Sequence, residues 1–321
     1  MTRRVSLAGR VVLVTGASSG IGLAVAAEAA TDGAHVVLVA RDLVTLHAAG
    51  AACERAGAAT VEVHAADVAD DPAIARVVAD VVATHGRLDV VVNSAGVVAY
   101  GRTEDVPPEV FEGVVRTNLL GSATVARHVV PVLRRQDEGT LVLVGSVIGH
   151  IAVPTMSAYV VSKWGVRALA RQLRIENRDR PGMHVAYVAP GGVDTPIYQQ
   201  AATVVGTEGR PPPPVASARR TGRQVLARVG RSHARPQLAL TNEVIRLGFT
   251  AFPRLYDAII TTSFRLGATD LDRPTPPTDG NVLASRPERN ALHGDQGSAL
   301  VGILRNVRTS VRTGRRPESG R

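Results

Sequence analysis

Short stretches made only of apolar residues recur along the first half of the chain. They occupy residues 11–14, 36–40, 90–92 and 141–144. Because apolar and polar positions do not alternate within them, these stretches predict strands that are buried on both faces. Alanine-rich stretches with helical spacing lie between them, at residues 21–31, 43–56 and 74–84. This alternation predicts an α/β fold with a doubly wound parallel sheet, whose ligands bind at the carboxyl ends of the strands.

The pattern continues less regularly in the second half of the chain. It predicts a long helix at residues 157–178, a strand at 184–189, a helix at 216–229 and a short strand at 237–240. Residues 206–214 end in four prolines, which cannot continue a helix or a central strand, so we expect a loop at the edge of a flap.

An apolar residue recurs every three or four positions between residues 245 and 260, which predicts a helix capped by Thr241 or Asn242. Pro253 should kink or split this helix. Its apolar stripe should pack against this chain or a partner subunit, and contact with a membrane surface is the alternative. Residues 267–297 are rich in Pro, Gly, Asp and Asn, as expected of a linker.

These elements suggest three regions within one domain. Residues 1–200 form the core that would bind a ligand and carry catalysis, and residues 201–266 form a substrate lid with peripheral helices. Residues 267–321 form a linker and a basic C-terminal tail, which we expect to be partly disordered. Because arginines outnumber acidic residues after Pro274, the tail should be solvated, with anionic lipid or nucleic acid as a less favoured partner.

Composition narrows the class of protein. The chain has 321 residues and a formal charge of +9, but only 3% of its residues are aromatic, so it offers little to stack on bases and no nucleic acid is expected. A single cysteine, Cys53, excludes an internal disulfide and fits the cytoplasm. We find no apolar run of membrane-spanning length, and no histidine or cysteine spacing typical of a metal site.

The basic residues contain one exception. Of the 37, 36 are arginine and one, Lys163, is lysine. Lysine is a compact charge on a flexible stem and can lose its proton, whereas arginine cannot. The lone lysine therefore indicates a position where that difference matters.

A glycine-rich turn follows the first predicted strand and opens directly into a helix, with the sequence TGASSGIG at residues 15–22. Glycines allow the backbone to approach a pyrophosphate closely, and the helix N-terminus offers it unpaired N–H groups. A turn with only a structural role is the alternative. The expected contacts to a dinucleotide are Gly16, Ser18, Ser19, Gly20, Ile21 and Gly22.

The residues after the second and third strands bear on which dinucleotide binds. The second strand ends at Ala40, where an acidic residue would hold a ribose 2′-hydroxyl, and Arg41 follows. A guanidinium can bind a 2′-phosphate, so Arg41 favours NADP(H) over NAD(H), although it could also be an ordinary surface arginine. Asp67 could accept a hydrogen bond from the adenine amino group or cap the next helix.

Tyr159 and Lys163 lie four residues apart on the predicted long helix, hence one above the other. A nearby cation favours the phenolate, so we expect Lys163 to lower the pKa of Tyr159 from its usual value of about 10. A phenol with a lowered pKa is suited to general acid–base catalysis.

Taken together, these motifs resemble the short-chain dehydrogenase/reductase family over roughly residues 8–200. The resemblance rests on the glycine-rich turn, the Tyr159–Lys163 pair, NSAG at residues 93–96 and PGGVDT at residues 190–195. It implies a Rossmann-type sheet, to which this chain adds a C-terminal helical extension. The chain departs from the family by Ser94 in place of a second asparagine, and by about 100 further residues instead of the usual short ending.

The resemblance implies roles for individual residues. The catalytic residues would be Asn118, Ser146, Tyr159 and Lys163. Further contacts to the cofactor would come from Val68, Asn93, Ala95, Gly96, Pro190, Gly191, Val193 and Thr195, and from Tyr159 and Lys163 themselves.

We therefore expect an NADP(H)-dependent oxidoreductase that interconverts a small-molecule alcohol and its ketone or aldehyde. The stretch from the proline run through Leu240 resembles family members that act on lipophilic alcohols and ketones, which adds a lipophilic substrate as an option. The resemblance implies a homodimer, and we expect a cytoplasmic protein without a metal, with peripheral membrane contact as an option. Two alternatives stay open: a catalytically silent dinucleotide-binding sensor or scaffold, and a membrane-surface protein that uses its C-terminal extension.

Overall fold

Six parallel strands form the central sheet of the computed structural model, which describes residues 5–312. They are β1 (Val11–Thr15), β2 (His35–Ala40), β3 (Thr60–Ala65), β4 (Val90–Asn93), β5 (Gly139–Val144) and β6 (Met183–Val188). Their order across the sheet is β3-β2-β1-β4-β5-β6, so the direction of winding reverses between β1 and β4. This is the doubly wound sheet predicted from the sequence, and a ligand site is expected where the order reverses.

Helices cover both faces of the sheet, and further helices lie in the C-terminal part of the chain. Those that follow the first five strands are α1 (Gly20–Thr31), α2 (Leu43–Ala56), α3 (Asp71–His85), α4 (Pro108–Val115), α5 (Gly121–Gln136) and α6 (Ser157–Glu176). The later ones are α7 (Ala218–Leu226), α8 (Leu240–Ala251), α9 (Pro253–Ala268) and α10 (Ala299–Arg312).

The strands have no polar face because each face meets helices. Val11 and Leu13 of β1 point into the apolar cluster that β1 shares with α3, α5 and α6. Val12 and Val14 point into the opposite cluster, with α1, α2 and α7. Burial on both sides explains the unbroken apolar runs in the sequence.

The region after β6 differs from the sequence prediction in two details. The strand expected at residues 237–240 is reduced to one bridge between Gln237 and Ala189, because the next helix already begins at Leu240. Neither expected cap precedes that helix. Asn242 lies within its first turn, is buried, and donates its side-chain amide to the carbonyl oxygen of Ala189 at 3.2 Å.

The proline in the following helical stretch has the predicted effect. The helix divides at Phe252, where the backbone leaves the helical conformation, and α9 begins with Pro253. The apolar stripe divides as well. Tyr256 packs on Val147 and Ile151 of the core, whereas Leu255 remains 61% exposed.

The segment interpreted as a linker is instead packed on the core. Within it, β8 (Thr269–Pro274) pairs antiparallel with β7 (Thr207–Gly209), which lies in the expected loop at 206–214. Buried polar contacts hold this region in place: Asp270 is fully buried and accepts from Arg305 of α10 at 2.7 Å. Such contacts leave no periodic apolar pattern, so the sequence did not reveal them. The last part of the predicted tail, after residue 312, lies outside the described residues.

No helix between residues 5 and 312 is both long and apolar enough to cross a membrane.

Candidate active site

A cleft of about 1060 Å³ opens at the carboxyl ends of the central strands, where the winding reverses. Most of the residues predicted to bind a dinucleotide line it. They are Gly16, Ser18, Ser19, Gly20, Ile21, Gly22, Arg41, Asp67, Val68, Ala95, Gly96, Tyr159, Lys163 and Thr195. The topology thus brings together, in one cleft, residues that are up to 179 positions apart (195 − 16 = 179) in the sequence.

The glycine-rich turn lines this cleft and has no room for a side chain at Gly16 or Gly22. Gly16 has a φ of +67°, and a Cβ there would lie 2.8 Å from the backbone of Ala95. A Cβ at Gly22 would lie 2.1 Å from the carbonyl oxygen of Gly16. The bare backbone allows a pyrophosphate to approach the N-terminus of α1, where the N–H of Gly20 is bonded to the carbonyl oxygen of Ala291 at 2.9 Å. The residues present therefore fit a dinucleotide.

Arg41 and Asp67 lie on the cleft wall at the ends of β2 and β3. Arg41 donates from Nη2 to the carbonyl oxygen of Asn281 at 2.7 Å, a contact that the sequence did not predict. Asp67 accepts from the backbone N–H of Ala69 at 2.8 Å. The cap of α3 is Asp70, not Asp67, so the capping alternative for Asp67 is wrong.

Of the predicted catalytic residues, Tyr159 and Lys163 line one end of the cleft, and Ser146 follows the cleft residue Gly145 without lining it. All three side chains are nearly removed from solvent. Tyr159 is 8% exposed, Ser146 8% and Lys163 5%. Lys163 donates from Nζ to the carbonyl oxygen of Val144 at 3.1 Å, and Nζ lies 5.6 Å from the centre of the Tyr159 ring. Ser146 lies near enough to Tyr159 for its hydroxyl to oppose the rise of the phenol pKa. The phenol therefore has a hydroxyl and an ammonium as neighbours.

Burial controls the protonation of this group. It raises the pKa of Tyr159 to about 12, against a smaller opposing effect of the hydrogen bond with Ser146. It lowers the pKa of Lys163 to about 8. The expected lowering of the Tyr159 pKa by Lys163 is therefore not seen in this structure, because the loss of hydration dominates.

Asn118 lies behind the catalytic group rather than on the cleft wall. Its amide accepts from the N–H of Val97 at 2.8 Å and donates to the Val97 carbonyl and to the Ser162 hydroxyl, both at 3.0 Å. It belongs to a π-helical turn at Arg116–Leu120, between α4 and α5. Such wide turns occur often at functional sites.

Four other residues predicted to touch the cofactor do not line the cleft: Asn93, Pro190, Gly191 and Val193. Asn93 has a structural contact instead, because it accepts from the Thr15 hydroxyl at 2.6 Å and ties β4 to β1. Pro190 accepts from the N–H of Val147 at 2.8 Å and so positions the loop after β5.

The sequence missed the residues that the C-terminal region adds to the cleft. They are Asn281, Ser285, Arg286 and Asn290. Gln200, from the segment after β6, was missed as well, and it donates to Asn290 at 2.8 Å. No motif marks these positions, and the first C-terminal one lies 86 positions (281 − 195 = 86) after the last family motif, so only the fold reveals them.

Residues 5–312 contain no group of three His, Cys, Asp or Glu side chains that could hold a metal ion. Cys53 is buried in α2, and burial raises the pKa of its thiol to about 11, so it is poorly suited to act as a nucleophile.

Comparisons with known proteins agree with this geometry. Residues 10–204 match the family model described as short chain dehydrogenase. The chain is 35% identical over 199 residues to 3beta-hydroxysteroid dehydrogenase of Mediterraneibacter gnavus. The aligned residues cover 62% of this chain and 71% of that protein.

Two solved structures share the fold. A metagenomic short-chain oxidoreductase in complex with NADP has 32% identity and a TM-score of 0.59, covering 70% of this chain and 92% of the other. A short chain dehydrogenase from Mycobacterium paratuberculosis bound to NAD has 26% identity and a TM-score of 0.61, covering 69% and 91%.

Proposed function

This chain belongs to the short chain dehydrogenase family, and from that membership we propose that it is an NADP(H)-dependent oxidoreductase interconverting an alcohol and a ketone or aldehyde. Membership of the family indicates an oxidoreductase that uses a nicotinamide dinucleotide. The observation that carries the rest is the pairing of Tyr159 and Lys163 at one end of the dinucleotide cleft, with Ser146 next to the phenol. A protein that only binds a dinucleotide has no need of a phenol placed in this way.

The nicotinamide, when bound, supplies or accepts the hydride. Tyr159 handles the proton: it donates to the substrate oxygen during reduction and recovers the proton during oxidation. Because burial keeps the phenol protonated at neutral pH, the structure supports the role as an acid. The Ser146 hydroxyl, a neighbour of the phenol, would donate to the same substrate oxygen and stabilise the negative charge that develops on it.

The other predicted residues would orient the cofactor and move protons. Lys163 would hold the ribose hydroxyls beside the nicotinamide. With its pKa lowered to about 8, it can also lose a proton near physiological pH. Asn118, from the π-helical turn, would anchor a water between Lys163 and solvent, and Thr195 on the cleft wall would bind the carboxamide.

Arg41 supports NADP(H) as the preferred dinucleotide. It lies at the end of β2 on the cleft wall, where an acidic side chain would repel a 2′-phosphate and a guanidinium attracts it. The solved relatives include a complex with NADP and one with NAD, so the preference depends on residues of this chain.

The surroundings of Tyr159 support an apolar substrate. Tyr159 belongs to an apolar cluster against which Ile148, Val153, Tyr198 and Phe264 pack, and Phe264 comes from α9. The named substrate of the 35% identical relative is a steroid alcohol. We therefore include lipophilic secondary alcohols and ketones in the substrate class.

Oxidation of NADPH with a panel of carbonyl compounds tests this function. Tyr159→Phe should lower turnover by at least about 100-fold, the scale of a lost general acid, with dinucleotide binding retained. Tyr256→Phe is the matched control, because its hydroxyl donates to the backbone of Ala152 at 2.7 Å, outside the cleft.

Equal turnover in wild type and Tyr159→Phe would refute the role of Tyr159. Tight binding of NADPH without turnover of any compound, by a folded wild-type protein, would instead favour the silent sensor.

A further inference from the structure

Residues 281–295, which we call the C-terminal strap, cross the cleft beside the glycine-rich turn. Val282 is buried in the apolar cluster that contains Tyr159, and Leu292 packs on a second cluster, beside α1. Between these anchors the Asn290 side chain accepts from Gln200 at 2.8 Å. The strap is therefore fixed to the core at both ends and in the middle.

The strap contacts two groups that the proposed function assigns to the dinucleotide. The carbonyl oxygen of Asn281 accepts from Nη2 of Arg41 at 2.7 Å. The carbonyl oxygen of Ala291 accepts from the backbone N–H of Gly20, the first residue of α1, at 2.9 Å. The strap thus runs directly along the wall of the cofactor cleft, from the end of β2 to the N-terminus of α1.

The strap also brings a second guanidinium to the cleft. Arg286 and its neighbour Ser285 line the same cleft as Arg41. Arg286 is held by Asp279 at 2.7 Å, and 35% and 41% of the two side chains are exposed, so water weakens their attraction. A more highly charged phosphate can compete for Arg286 under these conditions.

Arg41 alone cannot offset the charge of a phosphate with nearly two negative charges. One of its donors is already bound to Asn281, and the carboxylate of Asp42 is next to it in sequence and also on the cleft wall. Asp42 caps α2 and accepts from the N–H of Thr45 at 2.8 Å. This hydrogen bond lowers the pKa of Asp42, so its carboxylate stays negatively charged. A second cation would offset it.

We propose that the strap completes the cofactor site and that Arg286 binds the 2′-phosphate of NADP(H) together with Arg41. This inference rests on the proposed function, since it presumes that a dinucleotide occupies the cleft. Specificity would then be shared between the second strand of the fold and a segment about 245 residues later (286 − 41 = 245), outside the region that matches the family model.

Calorimetric titration of the full chain with NADP⁺ and NAD⁺ tests the proposal without relying on turnover. Arg286→Ala should weaken NADP⁺ binding by at least about 10-fold and NAD⁺ binding by less than about 2-fold, because a charge-assisted contact to the phosphate is lost. Arg41→Ala should behave in the same way. Arg308→Ala is the matched control, an arginine of α10 that is exposed and does not line the cleft.

The outcomes separate this inference from the function on which it rests. A wild-type protein that binds neither dinucleotide would overturn both. Preferential binding of NADP⁺ that Arg41→Ala abolishes and Arg286→Ala leaves intact would overturn the role of Arg286 alone. Equal losses of NADP⁺ and NAD⁺ in Arg286→Ala would reduce the strap to a structural cover and would also contradict the proposal.

Hydrogen exchange on the wild type gives a second readout that needs no substitution. Saturating NADP⁺ should slow amide exchange in residues 281–290 by at least about 3-fold more than saturating NAD⁺, since only NADP⁺ supplies the phosphate that Arg286 would hold. Identical protection by the two dinucleotides would contradict a contact between the strap and the 2′-phosphate.

Discussion

Lys163 is a buried cation whose hydration has been replaced by one carbonyl oxygen, that of Val144. Burial lowers its pKa from 10.5 to about 8. Below pH 8 the lysine is charged in both the folded and the unfolded chain. The folded state is then destabilised by the full free energy of burying the charged ammonium. Between pH 8 and 10.5 the unfolded chain binds more protons, so this group makes stability rise with pH.

Comparison with Lys163→Met isolates that effect. In urea denaturation the variant should be the more stable protein at pH 7, and wild type should regain about 2 to 3 kcal/mol relative to it between pH 8 and pH 10. Tyr159, with its pKa raised to about 12, makes stability fall above pH 10 in both proteins, so the series ends there. Parallel stability curves would show that Lys163 is not buried as a cation.

The helix α1 depends on one close contact in the turn that precedes it. A Cβ at Gly22 would meet the carbonyl oxygen of Gly16 at 2.1 Å, and the turn cannot move without disturbing its contact with Ala95. Gly22→Ala should therefore lower the free energy of unfolding by about 2 kcal/mol or more.

Gly248→Ala is the control for this prediction. Gly248 lies inside α8 and has no neighbour within 4 Å of an added Cβ, so alanine there should raise stability by about 0.5 to 1 kcal/mol. Thermal or urea unfolding measures both. A neutral Gly22→Ala would mean that the turn adapts more easily than the structure indicates.

The elements that could be predicted are those whose signal is local. Unbroken apolar runs located β1, β2, β4 and β5, and Pro253 located the division between α8 and α9, because each depends on residues close in sequence. The prediction of a strand at 237–240 was wrong because α8 already begins at Leu240.

The residues of the candidate site likewise fall into those that a local pattern predicts and those that it does not. The glycine-rich turn and the Tyr159–Lys163 pair are compact patterns with a physical reason for their spacing. The cleft residues Gln200 and Arg286 are brought there by contacts between distant segments, and no local pattern specifies such contacts. The direction of the Tyr159 pKa was also beyond sequence reasoning, since the opposing cost of burial depends on packing.

The C-terminal region is attached to the molecule through a buried group of charges. Arg210 and Asp270 are both fully buried, and Arg305 of α10 donates to Asp270 at 2.7 Å. Arg210 lies 4.0 Å from Asp270 and also donates to the carbonyl oxygen of Ser298 at 3.0 Å. One carboxylate therefore holds β8, the segment that follows β7, and α10 together.

Asp270→Asn should cost about 3 to 5 kcal/mol, because it leaves the buried Arg210 without a counter-charge. Adding Arg210→Met removes that unpaired charge, so the double variant should be more stable than Asp270→Asn alone. Urea denaturation of the wild type, both single variants and the double variant measures the coupling. Strict additivity would show that the two charges do not depend on each other.

The hydrogen bond from Gly20 to Ala291 also has a consequence for the order of folding during synthesis. Translation adds roughly 5–20 residues per second, so the segment that matches the family model leaves the ribosome several seconds before the strap does. In that interval no residue of the strap is present to accept from the Gly20 N–H. That N–H is therefore available to a ligand of the nascent chain before Ala291 is made, and no longer once Ala291 has bonded to it.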